Sequence, residues 1–229
     1  PNIDDMPRDS LRGLVVSNEL LDAFSVHRVV CRNDSLCEVY VDVDDGMLVE
    51  REGPPSTEEL ASYIAANEIK LVEGQTAEIC LEVATWVDMV SRVLLEGFVL
   101  TVDYGAETSA LYDPERVRES LVCQHRYQLN SDPLTRVGGQ DITAHVDFGN
   151  LRRCGKLANF GVIGDVSLAV FLVGFGAVED LSRDPLGAHD LRRYLGLRHL
   201  LFTEIGDAHR VILQCKGVSP IPFSLDRLG

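Results

Sequence analysis

The length, composition and charge of the chain exclude several classes of protein. Its 229 residues, 45% of them hydrophobic, suffice for one well-buried domain, or for one domain with a sizeable insertion. The formal net charge of -15 argues against a nucleic-acid-binding surface, which needs clustered Lys and Arg to neutralise phosphates. We therefore expect one soluble domain with small-molecule or basic protein partners and with no nucleic-acid partner.

The cysteines and the apolar runs exclude further classes. The cysteines are scattered, and no two of them form a Cys-x-x-Cys pair. Reduced thiols behave as small core residues in apolar runs, so we expect a reducing compartment and no metal site. The longest apolar run, residues 167–178, is broken by Gly174 and Gly176 and is too short to cross a bilayer. The sequence therefore predicts no transmembrane helix.

The first predicted strand is short and ends in polar residues. Residues 14–17 form a predicted buried strand that precedes Asn18 and Glu19. From residue 26 to about residue 55 the pattern changes to short β-prone segments, with an Asp-Gly step within residues 44–46. An Asp-Gly step between alternating segments is a strong hairpin signal. We expect an antiparallel β-ribbon inserted after the first strand.

Two predicted helices follow the ribbon. Ser56 and Glu59 have the spacing of a capping box, which predicts a helix over about residues 57–67. Apolar residues recur at helical spacing across residues 77–96, and Gly97 follows as a stop signal. The sequence therefore predicts a long amphipathic helix that ends just before a strand.

That strand is the centre of the predicted fold. Residues 98–102 are apolar and β-branched, as in a strand covered on both faces of a parallel sheet. A predicted turn follows, in which Asp103, Tyr104 and Gly105 place a carboxylate and a phenol at the carboxyl end of the strand. Ligands bind at that edge of open α/β sheets. The sequence thus predicts an α/β fold with a candidate site at this turn.

The remainder of the chain is less regular. Residues 106–140 form a long connection, in which we expect a short helix at residues 114–122 and a role as an active-site cover. The later predicted elements are a strand at 141–148, a helix at 148–158 capped by Asp147, an apolar segment at 166–174 left open between helix and strand, a helix at 190–201, a strand at 209–215 and a tail at 220–229.

Three separated stretches occur in the order of one known pattern. They are Ser17-Asn-Glu-Leu-Leu-Asp-Ala-Phe24, Gly97-Phe-Val-Leu-Thr-Val-Asp-Tyr-Gly105 and Gly139-Gln-Asp-Ile-Thr-Ala-His-Val-Asp-Phe148. They resemble the MidA family of S-adenosylmethionine-dependent methyltransferases. Shorter stretches at 111–112, 124–126 and 209–213 fit the same family, so the resemblance spans nearly the whole chain.

The resemblance implies a Rossmann-like methyltransferase fold, the cofactor S-adenosyl-L-methionine and no metal. It implies methylation of a protein arginine, with a respiratory complex I subunit as one such partner. The alternatives are a small-molecule O- or N-methyltransferase and a non-catalytic assembly factor that retains the fold. The compartment implied is the bacterial cytoplasm, or alternatively the mitochondrial matrix.

The family pattern places a glycine-rich, cofactor-binding turn ahead of the Asn-Glu-Leu-Leu-Asp motif. This sequence has no such turn before Asn18. We therefore expect residues 1–229 to be the carboxyl-terminal part of a single methyltransferase domain, incomplete at its amino-terminal side. We also expect this part alone to bind S-adenosylmethionine weakly or not at all.

The same motif supplies the first candidate site residues. The resemblance implies that Glu19 and Asp22 are catalytic and that Asn18 contacts the cofactor. A carboxylate forms a charge-assisted, bidentate pair with a guanidinium and can aim its nitrogen at a methyl group. In the alternative interpretation, Glu19 and Asp22 only cap the next helix.

Further candidates lie in the other motifs. Asp103 and Tyr104 are predicted to contact substrate, or alternatively to cap a turn and to pack. His125 is a candidate proton acceptor because imidazole titrates near neutral pH. Asp141 and His145 share a predicted strand face and are further candidates for substrate binding, although such a polar face also suits solvent.

Overall fold

The computed structural model describes residues 3–116, 120–126, 128–181 and 188–218. Its strands are β1 (Leu11–Asn18), β2 (His27–Arg32), β3 (Ser35–Asp44), β4 (Met47–Gly53), β5 (Thr76–Ile79), β6 (Leu94–Ala106), β7 (Leu121–His125), β8 (Gln128–Asn130), β9 (Asp141–Ala144), β10 (Val146–Asp147), β11 (Gly161–Ser167) and β12 (His209–Lys216). Its helices are α1 (Glu59–Ala66), α2 (Glu82–Val93), α3 (Thr108–Leu111), α4 (Phe148–Leu157), α5 (Leu168–Gly174), α6 (Ala177–Leu181), α7 (Ala188–Phe202) and α8 (Glu204–Ala208), preceded by a 3₁₀ turn at Ile3–Asp5. None of these described helices has the length and apolarity needed to cross a bilayer.

The contacts within the chain divide it into two compact units. The first contains Pro1–Leu20, Val87–Tyr104 and Cys154–Gly229, and the second contains Leu21–Trp86 and Gly105–Arg153. Helices and strands occur in both units, which confirms the predicted α/β class. The single domain expected from the chain length stays a prediction.

The first unit is built on a mixed sheet with the strand order β1-β6-β12-β11. β1 and β6 are parallel, whereas β12 is antiparallel to β6 and to β11, so β11 runs in the same direction as β6. Alternate side chains of β6, at Val99, Thr101 and Asp103, are buried. The predicted burial of β1 is wrong for one face, because Leu14 and Val16 are more than half exposed.

Gly97 was predicted to end a helix, but it lies inside β6, where two backbones approach closely. Its φ is +144°, and a Cβ atom there would lie 1.9 Å from the carbonyl oxygen of Gly13 on β1. Only glycine combines that φ with so close a neighbour. Gly97 therefore permits the parallel pairing of β1 with β6.

The long helix predicted at residues 77–96 is wrong at both ends. α2 begins at Glu82 and ends at Val93, and the preceding residues form β5. Ile79 has helical spacing from Val83, but it is buried in β5, opposite His27 of β2. Strand pairing therefore overrides the helical periodicity at the start of this segment, whereas Val83 is buried on α2 as predicted.

β6 also continues through the predicted turn. Asp103, Tyr104 and Gly105 remain in the strand, which ends at Ala106. The antiparallel ladder with β12 extends as far as the pair of Tyr104 and His209, and this ladder keeps the segment extended. The predicted site residues of this stretch therefore lie on a strand and not in a loop.

The second unit contains the predicted β-ribbon. Its main sheet has the order β4-β3-β2-β5, with antiparallel pairing throughout, and β8-β7-β9 form a smaller sheet. Asp45 and Gly46 connect β3 to β4 with φ values of 47° and 78°, the left-handed pair that a two-residue hairpin turn favours. Val29, Leu60 and Ile79 are fully buried in the core of this unit.

Two local predictions in the second unit are wrong. α1 begins at Glu59 without a capping box, because the Ser56 N–H donates to Glu38 at 2.6 Å instead. A short helix was predicted at residues 114–122, but Leu121 and Val122 begin strand β7. Residues 117–119 of that prediction lie outside the described part of the chain.

Most elements of the last third of the chain are confirmed. The predicted strand at 141–148 is present as β9 and β10, with a break at His145. The Asn150 N–H donates to Asp147 at 2.9 Å, so Asp147 caps α4 as predicted. The segment left open resolves into β11 and α5, which meet at Ser167 and Leu168, and α7 and β12 occupy their predicted places. The predicted tail lies outside the described residues.

Candidate active site

The carboxyl ends of β1 and β6 meet at one edge of the sheet in the first unit. Asn18, the last residue of β1, is in register with Val102 of β6. Asp103 is fully buried, and its carboxylate accepts hydrogen bonds from the Leu20 N–H at 3.2 Å and from the Tyr104 N–H at 2.9 Å. Through these two hydrogen bonds to backbone N–H groups, Asp103 stabilises the backbone that follows Asn18.

Glu19 combines a fixed backbone with an exposed carboxylate. Its φ is 46°, in the left-handed region that non-glycine residues rarely adopt, and its N–H donates to the Val102 carbonyl at 2.9 Å. Its side chain is 59% exposed. Uncommon backbone conformations often occur at functional sites. The backbone of Glu19 is therefore held in place at the carboxyl edge of the sheet, and its carboxylate is exposed there.

His209 lies at the same edge and was not among the predicted site residues. It begins β12, and its ring lies 5.8 Å from the Tyr104 ring with a tilt of 41°. Its Nδ1 lies 3.0 Å from the Ile205 carbonyl oxygen, so Nδ1 carries the proton that is donated. Its Nε2 lies 3.6 Å from Oε1 of Glu19. The Ile205 carbonyl therefore orients the His209 ring through Nδ1, and Nε2 faces the Glu19 carboxylate.

The first unit thus gathers Asn18, Glu19, Asp103 and Tyr104, four of the predicted site residues, and adds His209. The sequence signals for His209 are its position at the start of a predicted strand and its place in the 209–213 stretch that fits the family pattern. Pairing of β12 with β6, which the sequence did not predict, is what places His209 opposite Tyr104.

Asp22 and His145 lie in the second unit. Asp22 is buried, and its carbonyl oxygen accepts the Ala144 N–H at 2.9 Å. The segment after Glu19 forms turns and no helix, so helix capping by Asp22 is wrong. The catalytic role of Asp22 stays a prediction.

His145 is held neutral by its surroundings. Its Nδ1 lies 3.0 Å from an Nη atom of Arg116, which can only donate, so Nδ1 is an acceptor and Nε2 carries the proton. Burial and the charge of Arg116 together lower the pKa of His145 to about 4. Burial also lowers the pKa of Arg116. His145 is therefore a hydrogen-bond donor at neutral pH and not a cation.

The depressed pKa of His145 predicts a loss of stability in mild acid. The unfolded chain takes up a proton at this site near pH 6.5, whereas the folded chain resists protonation until about pH 4. The free energy of unfolding should therefore fall as the pH is lowered from 6.5 to 4, by about 2 kcal/mol after allowance for partial solvent screening. Urea unfolding at several pH values measures it. The variant His145→Gln should show a shallower decline, and an unchanged decline would contradict the assignment.

His125 lies on β7 and Asp141 lies on β9. Nδ1 of His125 lies 2.5 Å from the Gly139 carbonyl oxygen and donates to it. Asp141 is exposed and pairs with Gln124 in the ladder. The strand face predicted for Asp141 and His145 is wrong, because Asp141 is exposed on β9 whereas His145 is half-buried at the break after this strand. The proposed roles of His125 and Asp141 stay predictions.

Asp147 is the centre of a buried polar network in the second unit. Its carboxylate accepts hydrogen bonds from the Tyr63 hydroxyl at 2.8 Å, the Thr108 hydroxyl at 2.5 Å and the Asn150 N–H at 2.9 Å. The Tyr112 hydroxyl lies 3.3 Å from that of Tyr63 and donates to the Glu78 carbonyl. Burial, with the neighbouring hydroxyl and carboxylate, raises the pKa of Tyr63 far above its usual value. The network joins α1, α3 and α4.

Cysteines and metal ligands give no further site. All six thiols are free. Within residues 3–116, 120–126, 128–181 and 188–218, no three His, Cys, Asp or Glu side chains are grouped so that they could hold a metal ion.

Comparison with known proteins identifies relatives. The family model described as "Putative S-adenosyl-L-methionine-dependent methyltransferase" matches residues 2–165. The chain is similar to an uncharacterized protein from Burkholderia thailandensis, with 30% identity, a TM-score of 0.84, and coverage of 97% of this chain and 59% of that one. It is also similar to a Burkholderia thailandensis protein bound to S-adenosyl-homocysteine, with 31% identity, a TM-score of 0.82, and coverage of 94% and 56%. The chain therefore spans less than two thirds of either protein, and the comparison with curated proteins gives no match.

Proposed function

Because this chain belongs to the family of S-adenosyl-L-methionine-dependent methyltransferases that matches residues 2–165, we propose that the whole protein transfers a methyl group to a protein arginine. We place the reaction at the carboxyl edge of β1 and β6 in the first unit. The observation that carries this proposal is Glu19, whose exposed carboxylate is presented by a backbone fixed in the left-handed region.

The residues at this edge fit the cofactor. The sulfonium of the cofactor is positively charged, and the Glu19 carboxylate complements that charge. At the same edge of the sheet, the exposed Asn18 amide can donate and accept hydrogen bonds. Asn18 and the turn after it would therefore hold part of the cofactor. When bound, S-adenosylmethionine supplies the methyl group.

Arginine is the substrate that the chemistry of Glu19 favours. A carboxylate can accept two parallel hydrogen bonds from a guanidinium, which fixes the plane of the group and the direction of its nitrogens. During transfer, one nitrogen forms a bond to the methyl carbon while the carbon–sulfur bond breaks. The nitrogen then loses a proton, for which the Glu19 carboxylate is the acceptor on this chain.

His209 acts as a positioning residue for Glu19 in this proposal. With Nδ1 committed to the Ile205 carbonyl, its ring faces Glu19 through Nε2, and protonation of Nε2 turns a 3.6 Å contact into an ion pair. An ion pair with one exposed partner contributes about 0.2 to 1 kcal/mol. That energy would orient the carboxylate before the substrate arrives.

The variant His209→Asn should lower kcat for methyl transfer about two- to fivefold, with little change in KM. Steady-state rates at several substrate concentrations measure kcat and KM separately. His199→Asn, at an exposed position on α7, is the matched control and should leave kcat unchanged. A raised KM at unchanged kcat would contradict the positioning role of His209.

Methyl-labelled S-adenosylmethionine tests the proposed reaction. The whole protein should transfer label to arginine-containing peptides, in a linkage that survives mild alkali, as an N-methyl group does and a carboxyl ester does not. Label found only in small molecules would overturn the protein substrate, and no label in any acceptor would overturn the activity.

A further inference from the structure

The second unit contains a cleft that the candidate active site does not use. Its volume is about 530 Å³, within the range of ligand-binding sites in proteins. One wall is the face of the ribbon formed by β3 and β4, and the facing wall comes from residues 133–137 and from β9. Residues 23–28 close one end.

Both walls of the cleft are apolar and open to solvent. On the ribbon wall, Val41 is 60% exposed and Leu48 is 38% exposed. On the facing wall, Val137 is 66% exposed and Ile142 is 46% exposed. Exposed apolar side chains that share one concave surface are typical of interaction sites, whereas scattered ones are not.

The apolar side chains of the ribbon wall are spaced like the alternate side chains of an extended peptide. Val39 and Val41 project from the same face of β3, and Leu48 of β4, which pairs with Val43 on that face, continues the row. Side chains on one face of a strand repeat about every 6.6 Å. Alternate side chains of an extended peptide have the same repeat, so the row can receive them one by one.

The cleft contains an exposed carboxylate, that of Glu50. Arg28 is paired with Glu50 and lies 3.8 Å from Glu78, so two carboxylates share this cation. The side chain of Arg28 is 14% exposed, whereas that of Glu50 is 41% exposed, and the acid is therefore the accessible member of the pair.

Glu38 also borders the cleft, but its side chain is buried and projects from the opposite face of β3 to Val39 and Val41. Glu38 accepts hydrogen bonds from His27 at 2.7 Å, the Ser56 N–H at 2.6 Å and the Tyr40 hydroxyl at 3.2 Å. Burial raises its pKa, but these hydrogen bonds outweigh burial and bring the pKa down to about 2. The Glu38 carboxylate is thus committed to these three donors. Glu50 is the exposed acid of the cleft, and an apolar ligand with one positive charge complements it.

We propose that the cleft binds an extended, apolar segment of a partner protein that carries a basic side chain beside Glu50. The inference rests on the proposed function, because such a segment would belong to the protein whose arginine is methylated. Apolar side chains of the segment pack on Val41 and Ile142, and its arginine or lysine meets the exposed carboxylate.

Fluorescence anisotropy with a labelled peptide tests the proposal on the whole protein, without cofactor. In the peptide, isoleucines alternate with threonines and are followed by one arginine. A second peptide has glutamine in place of the arginine and should bind about 5- to 30-fold more weakly. Glu50→Gln should remove this difference between the two peptides. Glu52→Gln is the matched control. Glu52 lies on β4, as Glu50 does, but its carboxylate is paired with Arg32, and its substitution should preserve the difference between the two peptides.

The apolar walls are tested in the same assay. Val41→Ser should weaken both peptides at least fivefold, whereas Val162→Ser, at an exposed apolar position of β11, should change neither. Equal binding by wild type, Val41→Ser and Glu50→Gln would overturn the proposal. So would self-association that Val41→Ser abolishes, since a second copy would then occupy the cleft. Peptide binding by a whole protein that transfers no methyl group to any acceptor would instead refute the proposed function and leave the docking site standing.

Discussion

The variant Glu19→Gln is expected to lower kcat for methyl transfer by about ten- to a hundredfold while the Kd for S-adenosylhomocysteine stays nearly unchanged. Glutamine keeps the shape of the side chain and removes its charge, which costs a charge-assisted hydrogen bond of about 1.5 to 3 kcal/mol. The backbone of Glu19 is held by the Val102 carbonyl, so the substitution should not move the edge of the sheet. Turnover assays and calorimetry on the whole protein give the two quantities.

Glu68→Gln is the matched control for this experiment. Glu68 is also an exposed glutamate in the left-handed region, with a φ of 54°, and the proposal gives it no role. Its substitution should leave kcat unchanged. Unchanged turnover in Glu19→Gln would remove both the role of Glu19 and most of the argument for an arginine substrate, and a two- to threefold loss would favour a neutral hydroxyl acceptor.

The variant Asp147→Ala is expected to lower the free energy of unfolding by about 3 to 5 kcal/mol. The substitution leaves two hydroxyls and one N–H without the buried carboxylate that accepts from them, and it removes the N-cap of α4. Urea unfolding at pH 7 measures the change. Tyr63→Phe, which removes one of the three donors, should cost about 1 kcal/mol.

Asp141→Ala is the matched control for Asp147→Ala. Asp141 belongs to the same motif, but it is exposed, and its substitution should change stability by less than about 0.5 kcal/mol. Similar losses in the two variants would show that the network around Asp147 contributes little beyond the local backbone.

The edge of the sheet was predictable because its signals are local. An apolar segment that runs into Asn18 and Glu19 marks the end of β1, and another that runs into Asp103 locates β6, without knowledge of the strands that pair with them. The extension of β6 to Ala106 was not predictable in this way. The β-ribbon was predictable for the same reason, since alternation and an Asp-Gly step specify a hairpin within a few residues.

The remainder depended on pairing between distant segments. Ile79 follows the helical period of α2, and only the ladder with β2 makes it a strand residue. His209 is an ordinary strand residue until β12 lies beside β6 and brings its ring to Tyr104. The cleft requires Val41 and Val137, from separate parts of the chain, to line one surface. Periodicity carries no information on such tertiary contacts.

Photo-cross-linking of labelled S-adenosylmethionine to the whole protein, followed by mapping of tryptic peptides, tests the central claim most directly. If methyl transfer occurs at the edge formed by β1 and β6, label should be found on the peptide of residues 13–28, which contains Asn18 and Glu19, or on that of residues 93–116, which contains Asp103 and Tyr104. Competition by S-adenosylhomocysteine should remove it. Cross-linking that is competed in the same way but labels neither peptide would contradict the placement of the site.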